Sequence, residues 1–297
     1  MWVRVLGAAA GGGFPQWNCG CPQCLAARDG SRPCRPRTQS SVAISADYRR
    51  WFLLNASPDV RGQIESFPAL HPRKVRDSPL AAVLLTDAEL DHTLGLLMLR
   101  EADDLMVYAT PAVRETLLEG TSLLQTLGAF TNVEWRPVTT GKEVSLADGL
   151  SYLAFDVPTN KRARFGTGEG GGSVVGFRIT DARTGRTLVY VPGAQALTAS
   201  VLAHFEGCAC LLFDGTCWRD DELIRLRIAQ KTSSDMGHLP IGGADGSLKK
   251  LAPLPIGRKI YVHINNTNPV LLEDSPERRI VEESGLEVAA DGLELEI

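Results

Sequence analysis

The most constraining feature of this chain is an apolar run at 80–85 that passes directly into Thr86-Asp87-Ala88-Glu89-Leu90-Asp91-His92. Leu94, Leu97 and Met98 follow at helical spacing. The run has the length of a buried strand, so the acids at 87, 89 and 91 and the histidine at 92 lie on a strand-to-helix turn. Acidic residues favour such turns through capping and the helix macrodipole. The same side chains are also metal ligands, and taken alone the stretch fits a cap and a ligand set equally well.

The rest of the chain narrows what surrounds that turn. A length of 297 residues lies within the range of one large α/β or all-β unit, and 44% hydrophobic with 22% charged residues is ordinary for a globular protein. A net charge of −4 gives no drive toward nucleic acid or an anionic membrane. The apolar runs at 80–85 and 209–213 are too short to cross a bilayer. Residues 1–7 carry one basic residue and no adequate apolar segment, and Ala8-Ala9-Ala10 resembles a cleavage site only superficially. The expectation is a cytoplasmic protein whose seven cysteines serve as metal ligands or buried thiols rather than disulfides.

Strand-like segments at 2–6, 42–45, 51–55, 81–86, 106–109, 173–180, 187–191, 210–213 and 259–264 are bounded by Gly, Pro, Asn and Asp. Residues 180–187 read as a hairpin connection. Helices are expected after Thr110-Pro111, with Thr as N-cap, and after Ser275-Pro276, ending at Gly285. Hairpins early in each half followed by helices predict an α/β architecture of two layered sheets covered by helices. No linker-like composition divides the chain, so residues 1–297 are expected to form one domain. Gly166 to Gly171 matches G-x-G-x-x-G but precedes a strand instead of opening a helix, and Gly11-Gly12-Gly13 runs into cysteines and Pro15. Neither fits a dinucleotide site; the first reads as a mobile loop or lid.

Cys19, Cys21 and Cys24 place three thiols within six residues on a turn containing Gly20 and Pro22. Thiolates at that spacing converge on one Zn²⁺, with a fourth ligand from elsewhere, and a structural zinc is expected. A redox pair at Cys21 and Cys24 lacks a thioredoxin-like context. Cys208 and Cys210 border a buried strand and read as small hydrophobes.

The cysteine turn, Asn55-Ala-Ser-Pro-Asp59, the Asp87 to His92 stretch, Phe213-Asp214-Gly215-Thr216, Met236-Gly237-His238 and His263-Ile-Asn-Asn-Thr-Asn-Pro269 occur in an order that resembles the pyrroloquinoline quinone (PQQ) biosynthesis protein B family. The resemblance runs from the first strand to the terminal segment. It implies a metallo-β-lactamase-like αββα sandwich, two mixed sheets flanked by helices. Hydrolases of that superfamily carry H-x-H-x-D-H where this chain has Asp87, Glu89, Asp91 and His92. The later loop that supplies them another histidine corresponds here to 156–161, which has none, and Gly193 lies where they use a bridging aspartate. By this comparison Asp91, His92 and His263 keep one metal position and the other is lost. Asp87 and Glu89 become expected supports around the ligands, orienting His92 or accepting hydrogen bonds from metal-bound water.

Two histidines and a carboxylate leave open coordination positions and are the usual holders of non-haem Fe²⁺, although Zn²⁺ also fits three such ligands. His238, in a Gly-His loop, and Asp214, at a strand end, are the candidate catalytic residues, with Asp214 better placed to organise its loop than to transfer a proton. His71 and His204 carry no context and are expected at the surface. The family resemblance implies PQQ biosynthesis, with iron-dependent hydroxylation of a tyrosine ring in a Glu–Tyr-derived substrate. The alternative it implies is a soluble carrier for PQQ or a precursor, and a homodimer is compatible with either. Such a substrate bears carboxylates, for which Lys161, Arg162 and Arg164 are candidate partners, with a solvated basic turn as the plainer reading.

Overall fold

The computed structural model describes residues 1–159, 165 and 172–297. Two seven-stranded sheets form its centre. The first runs, edge to edge, through Glu294–Glu296, Trp2–Gly7, Ser41–Ser45, Trp51–Leu54, Leu80–Leu84, Asp104–Ala109 and Asn132–Pro137. The second runs through Glu287–Val288, Arg258–Val262, Cys210–Asp214, Arg186–Val191, Val175–Asp181, Leu150–Asp156 and Glu143–Ser145. Each sheet is antiparallel in one half, where hairpin and terminal strands pair, and parallel in the other, where helices make the crossovers.

Central strands such as Ser41–Ser45, Trp51–Leu54 and Cys210–Asp214 are buried along their whole length, as expected for strands covered on both faces. Val5, Ile44, Phe52 and Leu54 of the first sheet meet Phe177, Tyr190, Leu212 and Val262 of the second in the layer between them. The outer face of the first sheet, through Trp51, Leu53, Val83 and Val107, packs on Leu96, Val113, Leu117 and Leu127 from the surrounding helices. The outer face of the second carries Val189, Leu211 and Tyr261 under Val201, Leu251 and Val281. The order of layers is therefore helix, sheet, sheet, helix, the αββα sandwich expected from the sequence.

The expected local signals appear where propensity places them. Thr110 Oγ1 accepts the Val113 amide at 3.2 Å ahead of Pro111–Glu115. Ser275 Oγ accepts the Arg278 amide at 3.0 Å ahead of Pro276–Glu283, and Gly285 takes φ 76° just past that helix. Among the described residues, five strands escaped the sequence reading, the two longest being Asn132–Pro137 and Leu150–Asp156. Asn132–Pro137 is a largely exposed edge strand ending in proline, and Leu150–Asp156 alternates weakly before it pairs with Val175–Asp181. His204 is not simply a surface residue: it is half-buried, stacked on Phe155 at 4.2 Å. The Gly-rich stretch at 166–171, Lys161, Arg162 and Arg164 lie outside the described residues. Among those described, no helix is long and apolar enough to cross a membrane.

Candidate metal centres and active site

Parallel strands direct their C-terminal ends to one edge of the sandwich, where loops can present polar side chains without disturbing the core. Leu80–Leu84 leads there into Asp87, Asp91 and His92; Cys210–Asp214 into Asp214 and Thr216; Arg258–Val262 into His263. A cleft of about 630 Å³ opens over these strand ends. Its walls include Glu89, Gly193, Gln195, Lys231 and His238 besides the residues just named, except Asp214, which is buried behind them.

Asp91, His92 and His263 come together with ligand atoms within 4.8 Å of one another, although the first two belong to one half of the chain and the third to the other. Asp91 Oδ2 lies 3.1 Å from His263 Nε2 and 3.9 Å from His92 Nε2. His92 Nε2 is fully buried and has no hydrogen-bond partner among the described residues. A buried polar atom left that way is costly, and a cation shared with Asp91 and His263 satisfies it. That orphaned nitrogen beside a carboxylate and a second imidazole is what a metal site requires, so the residues fit an ion.

The opposite nitrogens of both rings are held. His92 Nδ1 lies 2.8 Å from each oxygen of Asp87. Asp87 also accepts the Glu89 amide at 2.9 Å and the Thr86 hydroxyl at 2.8 Å. One carboxylate thus closes the turn and orients the histidine, so the two roles that the sequence left open coexist. Behind it, Asn55 Oδ1 accepts the Thr86 amide at 2.9 Å and Asn55 Nδ2 donates to Thr86 Oγ1 at 2.9 Å. Glu89 is half-buried at the cleft wall and belongs to none of the potential ligand groups among the described residues.

His263 takes φ 55°, a left-handed conformation unusual outside glycine, which turns its ring from the strand end toward Asp91. Its Nδ1 is 2.9 Å from Thr216 Oγ1. Asp214 is buried and accepts from the Ala194 amide at 2.9 Å, the Thr216 amide at 3.0 Å and the Thr216 hydroxyl at 2.6 Å. Its Oδ2 is also 2.7 Å from His238 Nδ1, and the His238 ring stacks on His263 with centroids 5.2 Å apart. The two candidate catalytic residues therefore form a direct pair. Gly11 and Gly193 line the site, where a Cβ would make ordinary contacts, 3.4 Å from the Asp91 carboxyl carbon and 3.5 Å from His238 Cε1.

The charges reinforce this arrangement. Burial alone would depress His92, but Asp87 and Asp91 overcome it and push the imidazole up to about 9. Burial would likewise raise Asp87, Asp91 and Asp214, yet the neighbouring imidazoles hold all three below the usual carboxylate range. His263 is lowered, chiefly by burial.

The cysteine turn forms the second centre, with Cys19, Cys21 and Cys24 sulfurs also within 4.8 Å of one another. Cys21 donates its amide to Cys19 Sγ at 3.4 Å. The Asn266 amide group stands against the trio, with Nδ2 3.3 Å from Cys24 Sγ and 3.7 Å from Cys21 Sγ. Rotated by half a turn, the Asn266 amide presents its oxygen to the same place.

Asp91, His92 and His263 were expected together, and part of what supports them was not foreseen. Thr216 stood in a quoted motif without a role, Asn55 likewise, and Lys231 was unremarked. Their spacing carries no signal, since Thr216 meets a residue 47 positions away and Asn55 one 31 positions away.

Comparison with known proteins converges on the same architecture. A sequence profile of the beta-lactamase superfamily domain matches residues 50–264. The chain is 45% identical to coenzyme PQQ synthesis protein B of Methylococcus capsulatus, with 99% of each chain covered. Zn²⁺-bound PqqB from Methylobacterium extorquens superposes with a TM-score of 0.92 at 43% identity over the whole of both chains. A diphosphatase of the PhnP family shares the fold at 20% identity, with a TM-score of 0.71 over 100% of this chain and 97% of that one.

Proposed function

The chain belongs to the coenzyme PQQ synthesis protein B family within the beta-lactamase superfamily, and from that premise we propose that its step in PQQ biosynthesis is metal-dependent hydroxylation of a tyrosine ring in a Glu–Tyr-derived substrate. The observation that carries the reading is the selective ligand set. Asp91, His92 and His263 converge around an orphaned nitrogen, while Asp87 stands where a two-metal hydrolase has a histidine but binds His92 instead. Asp91, His92 and His263 would hold Fe²⁺, which would supply O₂ activation there. A two-metal hydrolase depends on a second cation to clamp both attacking and leaving oxygens.

The protein's own contribution is to hold and to exclude. Asp87 and Thr216 fix the rings of His92 and His263, so the ligand nitrogens face one point without reorganisation. Asp214 accepts the Nδ1 proton of His238, which leaves Nε2 bare and able to take up a proton. His238 is thus suited to remove the ring or hydroxyl proton of a substrate in the cleft. Lys231 on the cleft wall provides a cation for a substrate carboxylate. One oxygen atom enters the ring and the other leaves as water, so a two-electron reductant is part of the reaction. The cysteine turn, with Asn266 beside it, holds a zinc that stabilises the fold.

Metal analysis of anaerobically purified protein, before and after Fe²⁺ addition, tests the assignment with His263→Ala as comparison. The variant should lose Fe²⁺ binding and turnover while keeping the cysteine zinc. Normal oxygen consumption and product formation by His263→Ala would place the active site elsewhere.

A further inference from the structure

We propose that Thr216 is the positioning residue that selects the metal-binding tautomer of His263, acting with Asp214. Thr216 Oγ1 has four polar neighbours: Asp214 Oδ1 at 2.6 Å, His263 Nδ1 at 2.9 Å, the His263 carbonyl at 3.0 Å and His238 Nδ1 at 3.1 Å. A hydroxyl has one proton to donate. An oxygen–carboxylate contact of 2.6 Å is attractive only with a proton in it, and charge-assisted bonds of this kind are the short, strong ones. The Thr216 proton therefore points to Asp214, and Thr216 Oγ1 faces His263 as an acceptor. Nδ1 of His263 must then carry the ring proton, which leaves Nε2 bare.

The alternative tautomer has its own attraction. Asp91 Oδ2 lies 3.1 Å from His263 Nε2, so a proton on Nε2 would bond to Asp91. That state ties one ligand to another and closes the site to a cation. His263 thus stands between two carboxylates that favour opposite tautomers: Asp91 directly, and Asp214 through Thr216. The hydroxyl decides between them. The same Asp214 fixes His238 by a direct bond, so one buried carboxylate sets both rings, each with a different task. His92 needs no such relay because Asp87 contacts it directly.

This inference rests on His263 binding a metal through Nε2 and is independent of which metal binds or which reaction follows. The test uses protein freed of active-site metal and labelled with ¹⁵N-histidine. Two-bond proton–nitrogen spectra distinguish bare from protonated ring nitrogens, and with five histidines in the chain the His263 signals are those missing from His263→Ala. Wild type and Thr216→Ser should show Nε2 bare, whereas Thr216→Val should show it protonated. Chelator competition with Zn²⁺ should then find affinity about 10- to 100-fold weaker in Thr216→Val and restored in Thr216→Ser, the range typical for lost support of a ligating histidine. Retention of the cysteine zinc reports that each variant is folded. A wild-type spectrum with His263 Nε2 protonated overturns the proposal without recourse to any variant. So does a folded Thr216→Val protein with wild-type tautomer and affinity. If His263→Ala itself keeps full active-site affinity, the ligand assignment fails instead.

Discussion

The two candidate metal centres are built from opposite materials. The cysteine centre takes three ligands from a six-residue turn and adds a single distant neighbour, Asn266. Cys21 and Cys24 are buried in the apolar layer beneath the second sheet. The other centre takes its residues from both sheets, backs His92 with the Asp87 carboxylate and His263 with Thr216 bonded to Asp214, and opens into the cleft. In the proposed function, the local turn closed by apolar packing would hold a cation for stability, and ligands gathered across 172 residues would hold one for chemistry.

The largest effect should come from breaking the cysteine centre. Cys21→Ser is expected to release one zinc per chain and lower the melting temperature by about 10 °C, given the roughly 2–4 °C per kcal/mol typical of domains of 150–250 residues. Metal content and thermal melting check this, and unchanged values for both would remove the structural role. Asp87→Asn should spare that zinc and weaken the active-site metal by about 10- to 100-fold, because His92 loses its charged anchor. Chelator titration reads the difference.

The pH response should separate the centres further. In the metal-free site His92 is raised from 6.5 to about 9, so an incoming cation must displace its proton. Active-site affinity should therefore rise with pH up to about 9 and level off. The raised value also stabilises the metal-free fold: the contribution is complete below 6.5 and is lost as pH climbs through 9. Thermal melts of the metal-free protein should fall across that window, and Asp87→Asn should flatten the fall. The smallest effect is expected at Glu89. Its replacement by Gln should alter metal affinity by no more than about fivefold, on the order of 1 kcal/mol, as for a half-exposed charge outside the ligand set. A larger loss would promote Glu89 to a ligand.

These contrasts also mark how far the sequence could be read. The ligand set Cys19 to Cys24 is legible because spacing alone brings it together, whereas Asp91 with His92 fits a cap equally well until the family resemblance is added. The αββα layers are legible because buried strands and hairpins recur with capped helices between them. His263 needed the family resemblance, since nothing local links it to Asp91. Thr216 and Asn55 stayed without roles because a hydroxyl or an amide becomes a support only when the fold sets its partner at bonding distance. The edge strand Asn132–Pro137 was missed for a related reason: it is held by pairing with Asp104–Ala109, not by its own pattern.

The central claim is that Asp91, His92 and His263 hold a metal that turns O₂ on a tyrosine ring. Its most direct test supplies ¹⁸O₂, Fe²⁺, a two-electron reductant and a Glu–Tyr-derived substrate to the wild-type protein and follows the product by mass spectrometry. The account predicts a hydroxylated ring carrying one atom of ¹⁸O from O₂. Label from water, or tight binding of the quinone with no product from any Glu–Tyr-derived compound, would contradict it.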